Sequence, residues 1–117
     1  ALEQITADPV FDLCWYGDTR LYYLSWDAEK ETPSYFGGGV YYPCASQVKL
    51  LTLSGSGAKT ALLASRDAQD PMMNLTNIYV ENEKIYAAGS YFMGMADYHA
   101  ALFEVKDGKL SLLFGAY

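Results

Sequence analysis

Short apolar runs alternate with polar turns along most of the chain, and their spacing predicts β-strands. An apolar run, a polar turn and a second apolar run occupy residues 14–23, and the same arrangement returns at 78–87. Asp18 and Asn82 stand in the two turns, where these residue types are favoured because they tolerate left-handed backbone. Each segment is therefore predicted to be a β-hairpin. No segment keeps a helical apolar period over three turns, so little helix is expected.

A second pair of strands is predicted after each hairpin. Residues 50–53 match residues 102–105, and each run leads through a Gly-containing turn into a last strand, at 59–63 and 109–113. Gly-rich and Asp-Gly turns between apolar runs are strong hairpin signals. The repeating pattern is therefore four antiparallel strands, in which a longer connection separates the two hairpins.

This pattern predicts a single all-β domain over residues 1–117, made of two tandem four-stranded antiparallel meanders. The first copy spans about residues 14–65 and the second about 76–116. Residues 66–75 form a polar linker, in which Pro71 is incompatible with a central strand.

A tandem four-stranded meander of about 40–50 residues resembles the blade of a β-propeller, with kelch-like or WD-like blade length. In length and aromatic content the chain is also similar to a family of small lectins, whose two-blade chains assemble into closed propellers and bind sugars between blades. The resemblance implies a homo-oligomer or a part of a longer chain, because two blades leave apolar faces uncovered. The alternative fold is one eight-stranded barrel or sandwich formed by duplication.

Composition narrows the choice of partners. The chain has 117 residues, a net charge of −6 and 11 Tyr beside 5 Phe and 2 Trp, and this aromatic bias favours strands. It has no cluster of Lys and Arg, so we expect neither nucleic-acid binding nor docking on an anionic membrane. No apolar run approaches the ~20 residues of a membrane-spanning helix. An extracellular or periplasmic location is slightly favoured.

Two aromatic segments are the candidate ligand-binding regions. The first runs from Pro33 to Pro43 and contains three Gly residues, and the second, from Ser90 to Tyr98, repeats part of it. Tyr rings combine a flat face with a hydroxyl group, which suits both sugars and protein partners. The candidate ligand-binding residues are Tyr35, Phe36, Tyr41, Tyr42, Tyr91, Phe92, Asp97, Tyr98 and His99. The competing interpretation places both Tyr-Phe pairs in the core, at the end of the second strand of each copy.

The cysteine and histidine residues point to no metal centre. Cys14 and Cys44 permit one disulfide, or else they are two small apolar residues. His99 is the only histidine, and zinc sites need three or four ligands, so no metal and no cofactor are expected. Phosphate-loop, nucleophile-elbow and dinucleotide motifs are also missing.

These observations predict a non-catalytic binding or assembly module, whose glycan or protein ligand is held by the aromatic loops. One alternative is an enzyme, a hydrolase whose site forms between subunits from carboxylates such as Asp97 and Glu104. Another is a fragment of a larger β-propeller with no independent function. The lack of a catalytic constellation favours the binding module over the enzyme.

Overall fold

The computed structural model describes residues 6–27, 34–41, 44–66, 73–92 and 98–115, and all regular structure in these ranges is β-strand. The strands are β1 (Asp12–Tyr16), β2 (Arg20–Ser25), β3 (Ser34–Phe36), β4 (Gly39–Tyr41), β5 (Gln47–Ser54), β6 (Gly57–Ser65), β7 (Met73–Glu81), β8 (Lys84–Phe92), β9 (Tyr98–Lys106) and β10 (Lys109–Gly115). Eight strands form one sheet in the order β1-β2-β5-β6-β10-β9-β8-β7, and β3 pairs with β4 in a separate hairpin. The all-β prediction is confirmed.

The eight-stranded sheet curves into a nearly closed barrel. Strands β1, β2, β5 and β6 form one antiparallel meander, here called unit 1, and β7 to β10 form a second, called unit 2. The four tight hairpins predicted from the sequence are confirmed. The units join edge to edge in one sheet, so the eight-stranded barrel, which was the alternative prediction, describes the architecture. Strand β7 begins at Met73, and residues 73–75 of the predicted linker therefore lie in a strand.

Two joints connect the units. At the first joint β6 and β10 run parallel and share the register pair Lys109–Ser65. At the second joint β1 lies beside β7, and the backbone N–H of Ile78 donates to the Asp12 carboxylate at 2.8 Å. Because strand directions alternate within each meander, a parallel first joint makes β1 and β7 parallel as well.

Within each unit the tight turns therefore lie at one end of the strands, and the two units are offset along the strands, because Lys109 at the turn end of β10 pairs with Ser65 at the far end of β6. Strands β2, β6 and β8 finish at the opposite end, where β5, β7 and β9 begin. We call this opposite end of each unit its connection end. In the described part of the chain, no helix is long and apolar enough to cross a membrane.

One hydrophobic core fills the barrel and includes residues of both units. Alternate residues of each strand point inward, as the two-residue side-chain period of a strand requires. Tyr22, Leu24 and Val48 of unit 1 belong to the same buried cluster as Leu75 and Phe103 of unit 2. The two meanders are therefore held together by a shared interior as well as by the joints.

In unit 1 the outward face of β2 and β5 is also covered. Leu21, Tyr23 and Leu51 form a second buried cluster there, so the whole of β2 from Leu21 to Ser25 is buried. The covering residues include those before β1, where Asp8 accepts a hydrogen bond from the Tyr23 hydroxyl. In unit 2, by contrast, β7 alternates between buried and exposed residues.

The residue-by-residue match between the two copies fails after the first turn. In unit 1 this turn has three residues, 17–19, whereas in unit 2 it has two, 82–83. When residues 14–23 are aligned with 78–87 without a gap, Tyr22 falls on Tyr86. Tyr22 faces the core, but the residue of β8 that faces the core at the same place lies one position away from Tyr86. A slip of one residue reverses the face of every side chain. The predicted correspondence is therefore wrong by one residue along the second and third strands.

Candidate functional site

The described ends of the second aromatic segment lie at the connection end of unit 2, where β8 finishes and β9 begins. Tyr91 lies near the end of β8 and pairs in register with His99 near the start of β9, and Phe92 pairs with Tyr98. The Tyr91 side chain is only 4% exposed, and its ring packs against Phe103 with centroids 6.4 Å apart. His99 is half-buried. Tyr91 is therefore a core residue, as the competing interpretation predicted.

The first aromatic segment has a different structure from the second. Ser34–Phe36 is strand β3 of the separate hairpin, whose turn residues Gly37 and Gly38 have φ values of 59° and 82°. Two consecutive residues with positive φ make the turn that suits the twist of a two-residue hairpin loop. Tyr35 on this hairpin is 80% exposed, so the prediction that it belongs to the core is wrong.

The reason for this difference is that residues 27–33 precede the first Ser-Tyr-Phe segment and have no counterpart before the second. Strand β2 ends at Ser25, well before Ser34, so the first Ser-Tyr-Phe segment cannot continue the ladder of β2 as the second continues that of β8. Phe36 and Tyr41 lie in the strands of the same hairpin. Tyr42 and Asp97 fall outside the described residues.

Cys14 and Cys44 are both free thiols, so the disulfide that the sequence permits is not formed. Cys14 is half-buried in β1 and packs against the main core. Cys44 is exposed before β5, at the connection end. The alternative prediction of two small apolar residues therefore describes Cys14 but not Cys44.

The structure brings together a group of outward-facing side chains that the sequence analysis did not identify. We call Leu13, Trp15, Tyr79 and Tyr86 the seam patch, because they lie on both sides of the joint between β1 and β7. Leu13, Trp15 and Tyr79 are 50%, 48% and 55% exposed. Tyr86 is half-buried and pairs directly with Tyr79 across β7 and β8.

Strand register explains why these residues share one surface. Cys14 on β1 and both Ile78 and Val80 on β7 face the core, so the residues between and beside them face outward. Asp12 contacts the backbone of Ile78, and the two strands are parallel. The next residue along each strand, Leu13 on β1 and Tyr79 on β7, therefore lies beside the other. Alternation within each strand could have revealed the exposed face, but only the joint places the two strands side by side.

Charged and polar groups border the seam patch. Glu81 and Lys84 are exposed beside it, and the half-buried Glu104 is the register partner of Tyr86 on β9. The patch therefore combines flat apolar rings with hydroxyl and carboxylate groups at its rim.

An ion pair near the tight turns links the two units beside the seam patch. The Arg20 guanidinium makes two hydrogen bonds to the Glu83 carboxylate, at 3.1 and 3.2 Å, and lies 4.8 Å from the centre of the Tyr16 ring. The hydrogen bonds from Arg20 lower the pKa of Glu83, and those to Glu83 raise the pKa of Arg20. Both groups stay charged over the ordinary pH range, so this contact helps to hold β7 in place beside β1.

A second polar cluster holds the covering residues on unit 1. Asp8 accepts hydrogen bonds from the Tyr23 hydroxyl at 2.6 Å and from the Lys49 ammonium at 3.1 Å. Burial opposes the charge on Asp8, but the bonds from Tyr23 and Lys49 outweigh it and lower the pKa. Burial and the bond to Asp8 raise the pKa of Tyr23. Asp8 is thus kept as a carboxylate and Tyr23 as a neutral phenol, which suits a structural contact better than acid–base catalysis.

No group of three or more His, Cys, Asp or Glu side chains within the described ranges could hold a metal ion. Comparisons with family models, with curated proteins and with solved structures find no match for the chain.

Proposed function

We propose that the protein is a non-catalytic binding module and that its ligand is a carbohydrate chain held on the seam patch. The observation that carries this proposal is the pair of half-exposed rings, Trp15 and Tyr79, on neighbouring strands of different units. They occupy equivalent positions in the first strand of each unit, since each directly follows a core-facing residue, Cys14 or Ile78. A ligand that spans the joint would meet one ring from each unit.

The chemistry of the patch fits a sugar better than a purely apolar partner. A pyranose ring has a face of C–H groups that can stack on a flat aromatic ring, and its hydroxyl groups need hydrogen-bond partners. Trp and Tyr present large, rigid faces at low entropic cost and keep a polar group at one end. The Tyr hydroxyls and the carboxylates of Glu81 and Glu104 supply acceptors at the rim.

Asp8 and Glu83, whose pKa values are both lowered, have structural partners and do not form the carboxylate pair of a hydrolase. The two polar clusters hold Asp8 and Glu83 as carboxylates through direct cationic partners. A hydrolase of the carboxylate-pair type needs one acid with a raised pKa beside a second carboxylate. Glu104 faces outward from β9, and its proposed partner Asp97 lies outside the described residues.

Tryptophan fluorescence tests the proposal directly, because the chain has 2 Trp in very different surroundings. Trp15 is 48% exposed, whereas Trp26 is 9% exposed and packs against Phe11, with ring centroids 5.2 Å apart and the rings tilted by 59°. The variant Trp26→Phe keeps an aromatic ring in the buried position and makes Trp15 the sole emitter. A panel of soluble oligosaccharides should include at least one that shifts Trp15 emission to shorter wavelength and protects it from acrylamide.

Variants of this single-tryptophan protein locate the site. Tyr79→Ala should weaken binding by about tenfold or more, the equivalent of ~1.4 kcal/mol. Tyr35→Ala serves as the control, because Tyr35 is exposed on the separate hairpin. Loss of binding in Tyr35→Ala alone would move the site to the aromatic loops. If no carbohydrate in the panel changes the emission or the quenching of Trp15, the carbohydrate proposal is wrong.

A further inference from the structure

Within the described residues, strand β10 has one edge that is almost without a neighbouring strand. On one side it pairs with β9 along its length, but on the other it meets β6 only at Lys109–Ser65. Beyond this pair, the side of Leu110–Gly115 that faces away from β9 has no neighbouring strand within the described part of the chain. The backbone groups on that edge can therefore accept a further strand.

The side chains of this edge are apolar and exposed. Leu112, Leu113 and Phe114 are 41%, 51% and 76% exposed. Natural edge strands are usually protected by Lys, Pro or inward-pointing charges. Between Leu110 and Gly115 there is no charged residue and no Pro, although a bulge between Leu112 and Phe114 bends the strand. The segment has the composition of a paired strand rather than of a free edge.

The exposed edge of β6 differs in this respect. Strand β6 carries Lys59 within it, and its other side chains near that end are small: Ala58, Thr60 and Ala61. Leu62 is its exposed large apolar residue. A charge on the strand opposes the close approach of a second strand, so β10 is the better acceptor of the two.

We infer that β10 pairs in antiparallel fashion with β10 of a second copy of this chain. Unpaired backbone N–H and C=O groups in a row are matched by an extended strand and by few other partners. Two chains of net charge −6 repel each other over most of their surface, but this segment has no acidic residue. Antiparallel pairing also places the two Lys109 side chains at opposite ends of the contact.

The symmetry of this contact limits the assembly to two chains. The same edge is used on both copies, so no edge of the same kind is left to add a third. The contact lies at the joint of β6 and β10, whereas the seam patch lies at the joint of β1 and β7. Both seam patches stay exposed in the dimer, which would therefore present two ligand sites. The inference does not depend on the proposed function.

Light scattering of the full chain over a range of concentrations tests the inference. We expect a mass of two chains, with the monomer present only on dilution. Hydrogen exchange followed by mass spectrometry should show that amides of Leu110–Gly115 become protected as the dimer forms. A monomer at every concentration, or a dimer without this protection, would overturn the inference.

Substitutions identify the edge. The double variant Leu113→Lys with Phe114→Lys places charge on exposed positions, so it should fold and be monomeric. Leu13→Lys is a matched control, because Leu13 and Leu113 are 50% and 51% exposed, and it should remain dimeric. Leu62→Lys separates the two edges. Dissociation by Leu62→Lys would indicate that β10 of one copy pairs with β6 of another, which contradicts the symmetric contact.

Discussion

The two units share one strand pattern but differ in how their outward faces are treated. In unit 1 the outward-facing residues of β2 and β5 form a second buried cluster, and Leu21–Ser25 is buried throughout. In unit 2 the outward face keeps the alternation of a half-solvated antiparallel sheet, as β7 shows. The inward faces, by contrast, contribute to the same core.

The difference comes from the outward-facing residues of the two meanders and from a chain segment added to unit 1. The third strand of unit 1 places Leu51 outward beside Leu21, and the third strand of unit 2 places Glu104 outward beside Tyr86. Residues before β1 lie against unit 1 through Asp8, and this cover turns an outward position into a buried one. A repeated fold can thus bury the outward face of its second and third strands in one copy and leave it open in the other, while the first strands of both copies stay exposed at the seam patch.

The largest expected effect separates these two outward faces. Leu51→Ala should lower the free energy of unfolding by about 2–5 kcal/mol, because Leu51 is fully buried. Glu104→Ala, at the matching outward position of unit 2, should change it by less than about 0.5 kcal/mol. Urea denaturation of both variants measures the contrast. Similar small losses would show that the outward cluster of unit 1 is not a core.

The contact that holds the covering residues should have a smaller effect. Tyr23→Phe removes a hydrogen bond to a charged group and should cost about 1–3 kcal/mol. Asp8→Asn tests the same contact from its other side. Thermal unfolding at neutral pH gives the comparison, and no change in either variant would mean that this contact does not fix the cover.

The pH dependence of this contact follows from its two pKa shifts. The folded pKa of Asp8 lies below its ordinary 3.8, so its contribution is complete above that value and is lost as the pH falls through the folded pKa. The folded pKa of Tyr23 lies above its ordinary 10.0, so its contribution is present below pH 10.0 and is lost as the pH rises through the folded value. Asp8→Asn should flatten the acid limb, and Tyr23→Phe the alkaline limb.

The smallest expected effect concerns the ion pair between the units. Glu83 has a φ of 66°, a left-handed conformation that glycine adopts more readily than other residues. Glu83→Ala loses the bond to Arg20 and keeps the unfavourable backbone, so its melting temperature should fall slightly. Glu83→Gly loses the same bond but relieves the backbone, so it should melt above Glu83→Ala. High salt should reduce the difference between wild type and Glu83→Gly, because the pair is exposed. The reverse order of the two variants would contradict this account.

Features encoded over a few residues could be predicted from the sequence. The hairpins form where Asp18, Asn82 and the Asp107-Gly108 pair interrupt apolar runs, because turn chemistry is local. The all-β class follows from the same pattern. The seam patch could not be predicted, because Trp15 and Tyr79 are brought together only by the joint between distant strands.

The residue-by-residue match between the two copies failed for a reason that is also physical. One additional residue in the turn at 17–19 changes which face every later side chain occupies, and apolar composition alone does not show the change when both faces are apolar. In unit 1 the outward face is apolar because it is covered, so Leu21 and Tyr22 look equivalent in the sequence. The interpretation of Tyr35 as a core residue fails because the repeated Ser-Tyr-Phe motif does not have a repeated environment.

The joints connect residues that are far apart along the chain. Within each meander the paired residues are close in sequence, whereas Asp12 and Ile78 are separated by 66 positions. Contacts of low sequence separation form faster, because little chain must be ordered before they close. The two meanders are therefore the first parts expected to fold, and barrel closure is the last. The surface that we propose as the ligand site exists only after that final step.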